Sequence, residues 1–256
     1  MEERDIEALG MRLANRAYLY RIFHIVFGAE PSKEELSVLG SNETIDAMQY
    51  LADDCRSESL LDAVRLFASF ADRAQDGGCV ESMRSDFTKL FLVPGASYVR
   101  PWESPYIGKE EMLFQESTLD VRHRYAEYGF IAVEFGHFPE DHLSMMLDFL
   151  ACLSSRAFDA FGEGRDDEAR RILSSQKDFV EAHLLNWLDK FHEALCEKDE
   201  AGVYRRFAAA LHAFLVLDRE FVERALAGLV EMGRGRGCWR SIGRLSTKCA
   251  PFSKRE

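Results

Sequence analysis

Apolar residues recur at steps of three and four over most of the chain, the spacing that places them on one face of an α-helix. The first such segment, 5–27, ends before Gly28 and Pro31, which are residues that stop helices. No stretch alternates with a period of two, so the pattern predicts an all-α bundle of about ten helices. The further helices are predicted at about 32–40, 43–54, 58–74, 79–92, 118–128, 143–161, 166–196 with a break near Ser174–Ser175, 199–217 and 218–232.

Two stretches interrupt the helical pattern. Residues 93–118 hold three of the six prolines, and their aromatic side chains favour an ordered loop packed on the body over a flexible linker. The polar stretch FGEGRDD at 161–167 predicts a hinge between two helical parts. We therefore expect one helical domain at 1–232, followed by a basic, glycine-rich and flexible tail at 233–256.

The composition is that of an ordinary globular protein, with 47% apolar and 30% charged residues in a chain of 256. No apolar run reaches the roughly 18–20 residues that a membrane helix needs, and the start MEERDIEALG is acidic, unlike a secretory signal. These features predict a cytoplasmic protein without stable membrane insertion. The six cysteines form no C-x-x-C pair, and His192 with Cys196 supplies only half of a zinc site, so no metal is expected.

Charge is unevenly distributed along the chain. The net charge is −12, although the last 24 residues hold seven Lys or Arg and one acid. An acidic body repels nucleic acid and attracts basic partners. We therefore expect no nucleic-acid partner.

The stretch FPEDHL at 138–143 has two interpretations. In the first, Pro139 lies in the first turn of a helix and Asp141 caps or charges its positive end. That interpretation leaves His142 unexplained, because a protonated histidine is disfavoured at a helix N-terminus. In the second, a neutral His142 near a loop offers one donor and one acceptor to a ligand.

The stretch RPWESPY at 100–106 is open to a similar choice. It is either a surface segment anchored by Trp102 or part of a binding surface, for which Trp and Tyr are preferred anchors. Catalysis finds no support, because the chain lacks G-x-x-x-x-G-K-[ST], H-E-x-x-H and G-x-S-x-G.

Three segments in order resemble the TorD/DmsD family of cytoplasmic chaperones for molybdenum enzymes. They are FTKLF at 87–91, RPWESPYIGKEEMLFQESTLDVR at 100–122 and FPEDHLSMMLDFL at 138–150. The resemblance extends over about residues 10–220, and Phe87 stands where tyrosine is common. Any one segment is weak, but the ordered set is fairly specific.

The resemblance implies an all-helical, noncatalytic protein that binds the twin-arginine signal peptide of a molybdenum-cofactor oxidoreductase, its body, or both. Export of that enzyme would then wait until the cofactor is inserted. Asp141 is expected either to contact an arginine or to orient His142, and the aromatic residues around Trp102 to line a groove. The residues expected to bind the peptide or partner are Leu90, Phe91, Pro101, Trp102, Ser104, Tyr106, Pro139, Asp141 and His142.

Two other functions stay open. One is a chaperone for a non-exported, nitrate-reductase-like subunit, which needs no paired arginines. The other is a nucleotide-dependent enzyme or switch, since weak guanine-nucleotide binding has been suggested for this family. The sequence contains no phosphate loop, so no cofactor is expected. A hinge at 161–167 would allow a domain-swapped dimer as well as a monomer.

Overall fold

The computed structural model describes residues 3–55, 57–73, 76–108, 113, 115–131 and 139–232. These residues are helical or irregular, and their one β-like feature is an isolated bridge between Trp102 and His142. The all-α prediction is therefore confirmed. The helices are α1 (Glu3–Gly28), α2 (Lys33–Leu39), α3 (Asn42–Cys55), α4 (Glu58–Arg73), α5 (Gly77–Phe87), a π-helical turn (Thr88–Leu92), α6 (Ser104–Ile107), α7 (Glu116–Glu127), α8 (Leu143–Gly162), α9 (Asp166–His183), α10 (Leu188–Lys198) and α11 (Val203–Met232).

The core forms where α1 lies along α8, with α9 and α11 closing around them and α3, α4 and α10 outside. Both α1 and α8 carry fully buried apolar faces because their large side chains recur at helical spacing. Phe214 of α11 joins this core, with its ring stacked on Phe23 and edge-on to Tyr20. Each such side chain contributes about 1.5–3 kcal/mol through its removal from water.

A charged cluster lies in the middle of this apolar core. The guanidinium of Arg16 donates two hydrogen bonds to the Asp218 carboxylate, and Tyr20 donates a third at 2.6 Å. Arg16 also donates to Gln176 Oε1 at 3.2 Å, and Gln176 Nε2 donates to Ser154 Oγ at 2.7 Å. These contacts join α1, α8, α9 and α11. We call Arg16, Tyr20, Gln176 and Asp218 the central network.

Burial and pairing act against each other at Arg16. Burial lowers the pKa of Arg16, but the charge of Asp218 and its hydrogen bonds outweigh burial and leave the pKa raised. Burial, followed by the Asp218 charge, also holds the pKa of Tyr20 well above its usual value. The network therefore contains one ion pair and one neutral phenol.

Two expected helix boundaries are wrong. The segment 166–196 is not interrupted at Ser174–Ser175, because α9 continues through both and ends at His183. The segments 199–217 and 218–232 form one continuous helix, α11. In both places the polar residues make tertiary hydrogen bonds, since Ser175 Oγ accepts from Tyr128 and Asp218 accepts from Arg16.

The start of α8 also differs from the expectation. Its N-cap is His142, whose Nδ1 accepts from the main-chain N–H of Ser144 at 3.2 Å. Asp141 therefore does not cap this helix, and Pro139 precedes its first turn. The helix predicted at about 118–128 begins two residues earlier, since α7 starts at Glu116.

The predicted hinge at 161–167 coincides with the short connection between α8 and α9. Gly164 has φ +72°, a conformation that suits glycine, and α8 and α9 pack directly on each other. Hinge motion and domain swapping stay predictions. The predicted tail at 233–256 lies outside the described residues, in which no helix is long and apolar enough to cross a bilayer.

Candidate functional site

The proline-rich loop and the start of α8 meet in space, although about forty residues separate them in the sequence. The bridge between Trp102 and His142 is closed by main-chain hydrogen bonds. The N–H of Leu143 donates to the Pro101 carbonyl at 2.8 Å, and that of Glu103 to the Asp141 carbonyl at 3.1 Å. We call the contact between segments 101–106 and 139–142 the junction.

Asp141 fastens the junction from inside. Its Oδ2 accepts from the main-chain N–H of Ser104 at 2.8 Å and from the Ser104 hydroxyl. Its Oδ1 accepts from the Thr118 hydroxyl of α7 at 3.1 Å. The side chain is fully buried. Three donors on one carboxylate satisfy the charge without a cation.

Glu140 makes the second attachment to α7. Arg122 donates to both of its oxygens, at 2.7 and 2.9 Å, in the paired geometry that a guanidinium forms with a carboxylate. The hydroxyl of Tyr125 donates to the Glu140 carbonyl at 3.0 Å. Both acidic residues of the PEDH stretch are thus occupied within the fold.

Glu103 attaches the loop to the end of α9. Its two oxygens lie 3.0 Å from His183 Nδ1 and 2.9 Å from Asn186 Nδ2, and His183 Nε2 lies 2.9 Å from Asp120 of α7. Burial lowers the pKa of His183, but Glu103 and then Asp120 outweigh burial and leave the pKa raised. The His183 ring therefore bridges two carboxylates, an arrangement that favours its protonated form. We call Glu103, Ser104, Thr118, Asp141 and His183 the junction network.

His142 is in the opposite electrostatic situation. Burial, followed by the nearby His24, lowers the pKa of His142 to about 4, so the ring is neutral near pH 7. The ring lies edge-on to Trp102, with 4.9 Å between the centroids. The expectation of a neutral histidine at a helix start therefore agrees with the geometry.

The π-helical turn connects with the junction through the aromatic core. Phe91 packs on Phe191 of α10, as does Tyr106 of the loop, and the Leu90 carbonyl accepts from Val99 at 2.7 Å. Tyr106 also stacks on Trp187 at 5.2 Å. Among the nine expected site residues, Tyr106 and His142 are partly exposed. The buried ones are Leu90, Phe91, Pro101, Trp102, Ser104, Pro139 and Asp141.

The structure adds residues that the sequence did not single out. Glu103 and Thr118 lie inside the segment at 100–122 that resembles the family. The sequence therefore indicates their location but not their hydrogen-bond partners. His183 has no local signal, because its partners lie 63 and 80 residues away. Proximity in space alone identifies it.

A second group of polar residues lies in a shallow groove of about 440 Å³ between α4, α10 and α11. Cys196 Sγ lies 3.4 Å from His192 Nε2 there, beside Arg65, Arg205 and Arg206. Within the described ranges, no group of three or more His, Cys, Asp or Glu is arranged to hold a metal ion.

Comparison with known proteins places this chain in a family. The family model described as "Nitrate reductase delta subunit" matches residues 48–193. The "Chaperone protein TorD" of Vibrio parahaemolyticus is 31% identical over 208 residues, covering 81% of this chain and 94% of the relative. The TorD of Aliivibrio fischeri is 28% identical with the same coverage.

A solved structure titled "Crystal Structure Of A Putative Redox Enzyme Maturation Protein From Archaeoglobus Fulgidus" covers 78% of this chain and 93% of its own. Its TM-score is 0.45 at 20% identity. The sequence relatives define the class, which is that of the TorD-type chaperones. The chain belongs to the TorD/DmsD family, as its three segments indicated.

Proposed function

We propose that this protein binds the twin-arginine signal peptide of a molybdenum-cofactor oxidoreductase, together with part of the enzyme body. Bound in this way, the enzyme is held back from export until its cofactor is inserted. The observation that carries the proposal is the junction, where two segments typical of the family combine into one structure beside partly exposed Tyr106 and His142. The protein acts by binding and not by catalysis, in the cytoplasm.

The expected site residues take two different roles in this proposal. His142, Trp102 and Tyr106 contact the peptide. Asp141, buried and bonded to Ser104 and Thr118, positions His142 and the loop, and an arginine contact would require the junction to open.

The remaining expected residues support the site from below. Leu90 and Phe91 belong to the buried core beneath the junction. Pro101, Ser104 and Pro139 fix the main-chain path of segments 101–106 and 139–142. The paired arginines of the peptide then meet exposed carboxylates of the acidic body, for which bidentate pairing is available.

The test is calorimetric titration with the signal peptide of a molybdenum enzyme encoded beside this gene and with its twin-lysine version. We expect micromolar or tighter binding that weakens with lysine, because an ammonium cannot pair in the bidentate way. The same titration at raised salt should weaken binding through screening. Equal affinity for both peptides would contradict recognition of the arginines.

A second function is favoured by the family match to nitrate reductase delta subunits. In this alternative the client is a non-exported, nitrate-reductase-like subunit, and the protein binds its N-terminus without paired arginines. Binding of such an N-terminal peptide, with no binding of the signal peptide, would establish the alternative. Failure of both peptides would direct attention to the folded body of the enzyme.

A further inference from the structure

Trp102 carries a buried donor without an acceptor. Its side chain is only 8% exposed, and its indole Nε1–H has no hydrogen-bond partner among the residues that the structure describes. Leaving a buried N–H unsatisfied costs about 1–3 kcal/mol, so native proteins rarely tolerate it without a reason. Trp187 shows the usual situation, since its Nε1–H donates to the His183 carbonyl at 2.7 Å.

His142 presents a second donor at the same place. Because its Nδ1 accepts from the N–H of Ser144, the ring proton of the neutral imidazole lies on Nε2. Within the described part of the chain no acceptor lies at hydrogen-bond distance from that Nε2. The centroids of the Trp102 and His142 rings are 4.9 Å apart, so the two N–H groups lie in one small region, with the indole N–H beneath the surface.

The neighbouring carboxylates are turned to other partners. Glu103 is bonded to His183 and Asn186, Glu140 to Arg122, and Asp141 to Ser104 and Thr118. None of these five contacts includes Trp102 or His142. Their negative charge instead disfavours an anionic ligand close to the two donors. A neutral acceptor, such as an amide carbonyl oxygen, can accept from the two N–H groups and is not repelled by the neighbouring carboxylates.

We propose that Trp102 Nε1–H and His142 Nε2–H bind main-chain carbonyl oxygens of the client peptide. The inference rests on the proposed function and specifies how its site holds the peptide. Contacts to the main chain are independent of peptide sequence, so they supply affinity to any extended segment. Selection for arginines then lies elsewhere on the acidic body.

The test replaces the Trp102 indole by benzothiophene, in which sulfur takes the place of N–H and the ring shape is kept. The matched control is the same replacement at Trp187. At Trp102 we expect the affinity for the client peptide to fall by about 2- to 10-fold, the worth of one net hydrogen bond. Stability against urea should stay equal or increase, because an unsatisfied donor has been removed. At Trp187 we expect lower stability and unchanged affinity.

A peptide-side experiment checks the same contact. Backbone amides of the client peptide are exchanged one at a time for esters, whose carbonyl oxygens are weaker acceptors. At one or two positions, the ester exchange should weaken binding to the wild type and should cause a smaller loss of affinity for the Trp102 variant. Such non-additive losses indicate a direct contact between that carbonyl and the indole N–H. Additive losses at every position would contradict the contact.

The outcomes separate the inference from the function on which it rests. If the wild type binds neither client peptide, the proposed function fails. If the wild type binds and the Trp102 variant binds equally well, the inference is overturned while the proposed function stands. If binding requires a free C-terminal carboxylate on the peptide, the donors capture an anion and the main-chain proposal is likewise overturned.

Discussion

The central network lies in the middle of the helix bundle, whereas the junction network fastens a loop to its edge. The first contains one cation and one anion that complement each other, joined by neutral Tyr20 and Gln176. The second is rich in acids, which contact hydroxyl groups and the His183 ring. The helices around the central network already pack through apolar faces, whereas the loop is anchored by Trp102 and Tyr106 but is irregular over most of its length. The junction network therefore determines the conformation of the loop, whereas the central network determines which helices contact each other.

The largest effect is expected from Asp218→Ala in the central network. The change leaves Arg16 buried without its anion, and we expect a loss of about 3–5 kcal/mol in the free energy of unfolding. Urea denaturation followed by circular dichroism measures it. The control is Asp148→Ala, which breaks a pair with Arg21 that is about one third exposed, where we expect about 0–1 kcal/mol. Equal losses in the two variants would contradict the importance of burial.

A smaller effect is expected from Asp141→Asn in the junction network. The amide keeps one acceptor and turns an N–H₂ group toward Ser104 or Thr118, so we expect a loss of about 1.5–3 kcal/mol. Asp199→Asn is the control, because Asp199 is a buried carboxylate that accepts from two main-chain N–H groups. Hydrogen exchange of residues 101–108 should accelerate only in the Asp141 variant. Faster exchange there in both variants would show that the junction does not depend on Asp141.

At pH 6 and above, the change in stability from the titration of His142 is expected to be smaller than these losses. In the unfolded chain the pKa of His142 is near 6.5, and in the folded protein it is about 4. Between these values only the unfolded state binds the proton, so stability is lost as the pH falls from 6.5 toward 4. His142→Asn keeps a good N-cap and should reduce the slope of stability against pH in this window. Parallel curves for wild type and variant would rule out a lowered pKa of His142 in the folded protein.

The smallest effect, of opposite sign, is expected at His183. The pKa of His183 is raised in the folded state, so its contribution is complete below pH 6.5 and is lost as the pH rises through the folded pKa. The effect is limited because burial opposes the pull of Glu103 and Asp120. As the pH rises above 6.5, wild type should lose stability relative to His183→Gln. A constant difference between the two proteins over this range would show that His183 does not change its protonation.

The helical fold could be predicted from the sequence because apolar spacing records which face of each helix is buried. The two errors in helix boundaries have one cause. Polar residues near Ser175 and Asp218 were interpreted as breaks, yet Gln176 and Asp218 point into the core and meet Arg16. Their partners lie 160 and 202 residues away, and no local pattern signals such a distance.

The candidate site could be predicted in part. The segments were recognised by resemblance, which identified Asp141 and His142 but not how they act. One interpretation of the sequence has Asp141 cap the helix or charge its positive end, whereas in the structure His142 is the cap and Asp141 bonds to Ser104 and Thr118. The hydrogen-bond partners of Asp141 and His142 depend on which segments contact each other, and those contacts are determined by the complete fold.

The pairing of Arg16 with Asp218 also has a consequence for the order of events during synthesis. A ribosome adds about 5–20 residues per second, so the 202 residues between them take about 10–40 s to appear. Throughout that interval α1 can associate with later helices but cannot complete its charged contact. The bundle therefore closes only after most of α11 has left the ribosome. Until then the growing chain exposes apolar faces that the finished bundle buries.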